Sequence, residues 1–207
     1  MESPLRKDGV RLIETLRWDG RDFVRLERHL ARAERTAEAL GFEWDATRVS
    51  AALQDAVEAE AARVRLTMGA EAMPEVTVAP LADTPVLWKV AIAVERVRSD
   101  DPWRRLKTTE RGVYDRARAG LPEDVDEWLF LNERGELVEG TITNLFIDRG
   151  EGLETPSVSS GALPGCLRAE LLETGQAREA VLKLADLDGA ELWMGNSLRG
   201  LIRVELV

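Results

Sequence analysis

From Leu26 to Leu40 the apolar residues fall on one helical face: Leu26, Leu30, Ala33, Ala37 and Leu40. Their spacing follows the period of about 3.6 residues that stacks side chains along a helix. Gly41 is a suitable stop. Immediately upstream the pattern differs. Arg11–Trp18 has strand character, Asp19-Gly20 is a turn signal, and Asp22–Leu26 reads as a returning strand. A hairpin that runs straight into a helix points to an α+β unit.

The rest of the first half extends that unit. Asp45 is placed to cap a second helix, about Ala46–Ala62, with Val49, Leu53, Ala56 and Val57 as its apolar stripe. Arg63–Met68, Glu75–Leu81 and Leu87–Val97 alternate or run apolar like strands. Ser99-Asp100-Asp101-Pro102 then breaks the pattern and marks the expected domain boundary, giving residues 1–101 and 102–207. Beyond it, Arg111–Leu121 reads as a helix ended by Pro122, Glu127–Asn132 as a strand and Glu133-Arg134-Gly135 as a turn. Glu136–Asp148 reads as a long returning strand. A loop, Thr155–Gly165, opens into a helix at Cys166–Thr174. Strands are expected from Ala180, at Leu192-Trp193-Met194 and from about Leu201, with a tight Gly195-Asn196-Ser197 segment between the last two.

Composition narrows the function classes. The net charge of −10 argues against nucleic acid, whose binding draws on phosphate neutralisation. The apolar runs are too short for a membrane-spanning helix, and Met1–Val10 has no apolar signal region. A single cysteine, Cys166, permits no intramolecular disulfide and fits a reducing cytoplasm. One histidine and one cysteine leave no zinc cluster of the usual kind. A Ser-His-Asp enzyme would have to use His29, which lies in the first helix among arginines. The bland reading of His29 and Arg32, about one turn apart there, is a solvated face; the alternative is that Arg32 supplies the charge opposite a bound anion.

Four segments carry candidate chemistry. The chain holds four lysines, Lys7, Lys89, Lys107 and Lys183, among 28 basic residues. An amine forms imines where a guanidinium does not, and Lys107 stands between a strand-like run and a helix, in Lys107-Thr108-Thr109. Ser159-Ser160-Gly161-Ala162-Leu163-Pro164-Gly165 leads into the helix at Cys166. Helix N-terminal amides there form either an anion seat or an ordinary helix entry. Cys166 reads either as a reactive thiol at a helix N-terminus or, the favoured reading, as a position where only the backbone amide matters. Gly195-Asn196-Ser197 is either a β-turn or a second source of donors to the same anion. Glu139, in a half-buried strand, is either an exposed hairpin residue or a carboxylate that needs a cationic or donor partner.

In this order and spacing, Lys107-Thr108-Thr109, Glu139-Gly140-Thr141-Ile142-Thr143-Asn144-Leu145-Phe146, Thr155-Pro156 with Ser159–Gly165, and Gly195-Asn196-Ser197 resemble the class IV aminotransferases, the fold-type IV pyridoxal-phosphate family. Glu14-Thr15 and His29-Leu30-Ala31-Arg32 fit the same series, so the likeness runs from about Leu12 to Val204. The resemblance implies an α+β fold like that of D-amino-acid aminotransferase, with a small N-terminal α/β domain, a larger C-terminal domain and usually a homodimer. It implies pyridoxal 5'-phosphate as cofactor and a small amino substrate. By the same likeness Lys107 carries the cofactor and moves the proton, and Glu139 faces the pyridine nitrogen. Arg32, the Cys166 and Leu167 amides, Asn196 and Ser197 hold the cofactor, with the phosphate on Arg32, those amides and Ser197.

Two features depart from the family pattern. About ten residues precede the Glu14-Thr15 hairpin where members usually carry a further strand and loop, and Glu110 stands where the lyase-like branch often has asparagine. Tyr114-Asp115-Arg116-Ala117-Arg118 and Asn196-Ser197-Leu198-Arg199-Gly200-Leu201 look closer to 4-amino-4-deoxychorismate lyase-like members than to branched-chain transaminases. The expected activity is therefore lyase-like. The alternatives are a branched-chain or D-amino-acid aminotransferase and a non-catalytic pyridoxal-phosphate-binding protein. Arg63, Arg65, Arg98, Arg105 and Arg199 are unranked candidates for a substrate carboxylate.

Overall fold

The computed structural model of the protein describes Leu5 and residues 7–207. The Met1–Pro4 and Arg6 part of the leading stretch lies outside the described residues. By contact the chain divides into two units. The first comprises residues up to Asp83 together with Leu106–Glu110, and the second Thr84–Arg105 with Arg111–Val207. Residues 84–101, read above with the N-terminal half, fall in the second unit. The reason is strand pairing: β4 (Leu87–Ile92) is bonded in parallel to β10 (Gly200–Leu206) on one side and β5 (Glu127–Leu129) on the other.

The first unit is an antiparallel sheet in the order β1 (Leu12–Trp18), β2 (Ala62–Met68), β3 (Pro74–Pro80), with helices α1 (Leu26–Leu40) and α2 (Ala46–Asp55). Alternate strand residues, Leu12, Leu16, Trp18, Val64, Leu66 and Met68, pack with Ala33, Ala37, Val49 and Leu53 of the helices. Each large side chain removed from water there contributes roughly 1.5–3 kcal/mol. Gly41 closes α1 at φ 69°, its N–H donating to the Ala37 carbonyl, and the Asp45 carboxylate accepts from Arg48 N at 3.0 Å to open α2. The Asp22–Leu26 strand does not form. On the β1 edge opposite β2, Phe23 makes a single bridge to Trp18 and Val24 N donates to the Arg17 carbonyl before Leu26 opens α1. The second helix stops at Asp55, and Ala62 begins β2 instead.

The second unit is a mixed seven-stranded sheet in the order β5–β4–β10–β9–β6–β7–β8, with β6 (Asn144–Asp148), β7 (Leu153–Pro156), β8 (Ala177–Ala180) and β9 (Glu191–Asn196). Val90, Leu129, Leu145, Ile147, Met194 and Ile202 form one core, and Phe146, Leu167 and Leu171 seat helix α4 (Cys166–Glu173). Helix α3 (Gly112–Ala119) covers Phe130 with Val113, Tyr114 and Ala117. The long Glu136–Asp148 strand is another correction. Only Asn144–Asp148 is strand; Glu136–Thr143 is a loop held by isolated bridges, Leu131↔Leu137 and Glu139↔Asn144. Among the described residues no helix is long and apolar enough to cross a membrane.

Candidate active site

The loop that replaces the expected strand is shaped by a carboxylate beneath it. Glu127 is fully buried and accepts from Thr141 N at 3.1 Å, Thr141 Oγ1 at 2.6 Å, Ile142 N at 3.2 Å and Thr143 Oγ1 at 3.3 Å. Those backbone amides are thereby taken from any strand partner. Gly140 has no space for a side chain: a Cβ there would stand 2.5 Å from Thr143 Oγ1 and 2.9 Å from Glu127.

Folded in this way, the loop buries Glu139 to 5% exposure with donors on both carboxylate oxygens. Oε1 accepts from the Tyr114 hydroxyl at 2.6 Å and from Arg104 Nη2 at 3.2 Å. Oε2 accepts from Leu163 N at 3.0 Å and Asn144 Nδ2 at 3.2 Å. The sequence reading asked for a cationic or donor partner; the structure supplies both kinds. Burial above all, and then the charge of Glu139, push the Tyr114 phenol well above its usual pKa, so it remains a donor. Arg104 and Tyr114 were missed because nothing in their sequence spacing links them to Glu139.

Asn144 ties this loop to the α4 entry. Its Nδ2 also donates to the Leu163 carbonyl at 2.9 Å, and a Cβ on Gly165, the α4 N-cap, would stand 2.1 Å from Asn144 Oδ1. Cys166 and Leu167 follow at the helix N-terminus, both buried. The β9–β10 turn joins the same region. Asn196 Nδ2 donates to the Ile142 carbonyl at 3.2 Å, and its Oδ1 accepts from Leu198 N and Arg199 N. Ser197 beside it is 7% exposed, and Gly195 lies against the Leu167 side chain. The second unit thus gathers Glu139, Cys166, Leu167, Asn196 and Ser197 around one loop, one helix start and one turn.

In the first unit β1 brings the remaining candidates together. Lys107 sits in a short segment laid along β1: its carbonyl accepts from Ile13 N at 2.8 Å, and Leu12 bridges Thr108. The next β1 residue, Glu14, holds Arg32. Arg32 Nε and Nη2 donate to the two Glu14 oxygens at 2.8 and 2.5 Å, and His29 Nδ1 lies 2.7 Å from Oε2. All three are buried, which corrects the expectation of a solvated face at His29 and Arg32. The apolar stripe of α1 did not include them because ion pairing, not hydrophobicity, carries them inward. Burial alone would raise the Glu14 pKa. The Arg32 charge and hydrogen bonds, with His29, outweigh it and bring the carboxyl to about 2. Burial also lowers the His29 pKa against the pull of Glu14, so the ring is a neutral donor. Glu110 pairs with Lys7 at 2.6 Å on the surface.

Comparison with known proteins follows the same residues. A family profile described as amino-transferase class IV matches residues 11–207. A Schizosaccharomyces pombe protein provisionally named aminodeoxychorismate lyase is 29% identical over 95% of this chain and 89% of its own. The crystal structure of a Mesorhizobium loti protein provisionally named an amino-acid aminotransferase superposes with TM-score 0.91 at 43% identity, covering 96% of this chain and 100% of that one. The 4-amino-4-deoxychorismate lyase of Pseudomonas aeruginosa superposes with TM-score 0.79 at 26% identity, covering 95% and 82%.

Proposed function

The chain belongs to the amino-transferase class IV family, whose members are pyridoxal-phosphate enzymes, and we propose that it acts as a 4-amino-4-deoxychorismate lyase-like enzyme, releasing pyruvate and 4-aminobenzoate for folate synthesis. The observation that carries the enzymatic reading is Glu139: a buried carboxylate with donors on both oxygens is what a fixed partner for a pyridine nitrogen requires. The lyase branch draws its support from the S. pombe relative, which spans nearly the whole chain.

The residues fit the cofactor. Pyridoxal phosphate needs one amine, one anchored carboxylate and several donors for a phosphate dianion, and the chain carries each. Lys107 supplies the amine, and Glu139 the carboxylate. Arg32, the Cys166 and Leu167 amides and Ser197 supply the phosphate donors, with Asn196 shaping the turn beside Ser197. Glu14 engages the guanidinium of Arg32 in a two-point pairing and so sets its orientation. When bound, the cofactor supplies an electron sink for the charge left as the substrate loses its α-proton. Lys107 takes that proton as general base. Glu139, held as a carboxylate, stabilises positive charge at the ring nitrogen. The enzyme works as a homodimer in the cytoplasm in this reading, on a small amino substrate, with neither nucleic acid nor membrane as partner.

A second reading, an amino-acid aminotransferase, is favoured by the M. loti protein, which matches this chain over its full length at higher identity. The two share the proton removal at Lys107 and part at the products. The test is a visible spectrum of the purified protein with pyridoxal phosphate before and after borohydride, with Lys107→Ala alongside, followed by product assays. A band fixed covalently in wild type and not in the variant is expected, with pyruvate and 4-aminobenzoate formed together. Amino-group transfer to a 2-oxo acid with no 4-aminobenzoate would replace the lyase reading with the second one. No band, or a band unaffected by the substitution, would refute the role of Lys107.

A further inference from the structure

We propose that Arg104 and Tyr114 are positioning residues that set the charge and the aim of Glu139; this rests on the reading in which Glu139 faces the cofactor's ring nitrogen. Four separate parts of the chain converge on this carboxylate: a 3-10 turn (Pro102–Arg105) through Arg104, α3 through Tyr114, β6 through Asn144 and the α4 entry through Leu163 N. Arg104 and Glu139 form an ion pair in which both side chains are 6% exposed. Arg104 and Tyr114 are also hydrogen-bonded to each other.

Neither partner is a loose surface chain. Arg104 Nε donates to the Gly161 carbonyl at 2.8 Å, and a Cβ on Gly161 would stand 3.1 Å from that nitrogen. Tyr114 stands edge-on to Phe130, with ring centroids 5.0 Å apart. Arg104 and Arg111 lie over its ring at 5.0 and 5.8 Å. This buried construction exceeds what α3 needs to pack, since a hydroxyl and a guanidinium are brought inward to converge on one carboxylate oxygen.

The consequence is electrostatic. A guanidinium and a phenol on Oε1 stabilise the anion and draw charge away from the oxygens it presents elsewhere. Removing either donor leaves Glu139 more negative, and a more negative neighbour holds the protons of a bound cofactor to higher pH. Removing the charge of Glu139 itself acts in the opposite direction. Arg111 at the Tyr114 ring with its partner Asp115, and Glu127 with Arg118 at the Thr141–Thr143 loop, are further charged groups nearby, and all are unchanged across the variants below.

The experiment loads wild type, Tyr114→Phe, Arg104→Met and Glu139→Gln with pyridoxal phosphate and records the pH midpoint of the bound cofactor's visible band. Glu139→Gln lowers the midpoint. Arg104→Met raises it by less than the roughly 1–3 pH units by which an ion pair shifts its own members, since Arg104 reaches the cofactor through Glu139. Tyr114→Phe raises it by about half a pH unit, a fraction of the effect of one hydrogen bond to a charged group, since Tyr114 also acts through Glu139. Phenylalanine keeps the packing on Phe130, so this variant carries the test even if Arg104→Met fails to fold. In the double variant Arg104→Met/Glu139→Gln the Arg104 shift falls to less than half, since it acts through Glu139. A Tyr114→Phe midpoint that is unchanged or moves with Glu139→Gln overturns the proposal, as does a double variant that keeps the full Arg104 shift. A wild type that takes up no cofactor overturns the family reading itself, and this proposal with it.

Discussion

Replacing Glu14 by glutamine is expected to cost the fold about 3 kcal/mol at neutral pH. Glutamine has the same shape, so the loss isolates charge. Glu14 is buried, bonded by two nitrogens of Arg32 and by His29, and its carboxyl sits at about 2 instead of 4.5. At about 1.36 kcal/mol per pH unit that depression is worth roughly 3 kcal/mol. An independent route agrees, because removing one partner of a buried ion pair typically costs about 3–5 kcal/mol. The sign follows from the depressed carboxyl: the stabilisation is fully present above 4.5 and is lost as pH falls through about 2. At pH 3 the same relation leaves roughly 1 kcal/mol. Urea unfolding of wild type and Glu14→Gln at pH 7 and pH 3 reads this directly, and near neutral pH the melting temperature should fall by roughly 6–12 °C for a chain of this size. Equal midpoints at pH 7, or a gap as wide at pH 3 as at pH 7, would refute the claim that Glu14 owes its charge to Arg32 and His29.

Three other outcomes follow from the same structure. His29, the single histidine, is buried and neutral, so its proton NMR signal should not titrate near the usual 6.5. Because its pKa is lowered on folding, stability should decline as pH falls below that value, and a normal titration would contradict the buried placement. Glu127→Gln sets an amide NH₂ among donors from Thr141, Ile142 and Thr143, and is expected to destabilise by about 1–3 kcal/mol, measured by thermal unfolding. Gly165→Ala forces a Cβ into Asn144, so a loss of about 1–3 kcal/mol is expected together with weaker uptake of pyridoxal phosphate in a fluorescence titration.

Much of the local structure was legible from the chain. The α1 stripe, its Gly41 stop, the Asp45 cap and the α4 start at Cys166 all depend on residues within a few positions of one another, and they fold where their spacing places them. The ordered motifs around Lys107, Glu139, Gly165 and Asn196 were equally readable, since a family pattern is a property of sequence order. The failures share a cause. The Asp22–Leu26 and Glu136–Thr143 segments have strand-like composition, but neither completes a ladder: α1 opens at Leu26 after a single bridge to β1, and Glu127 claims the amides of Thr141 and Ile142.

The sequence by itself determined the helices, the turns and the net acidic charge, and it nominated the groups proposed to carry chemistry. Tertiary structure decided which of those groups are buried and what they bond. His29 and Arg32 lie inside because Glu14, on a different element, offsets the cost of desolvating them. Glu139 is a clamped anion because Arg104 and Tyr114 reach it from 35 and 25 positions away in the chain. Hydrophobic periodicity is local and can be read along one strand or helix. The partner of a charge is chosen in space, and no spacing rule along the chain records it.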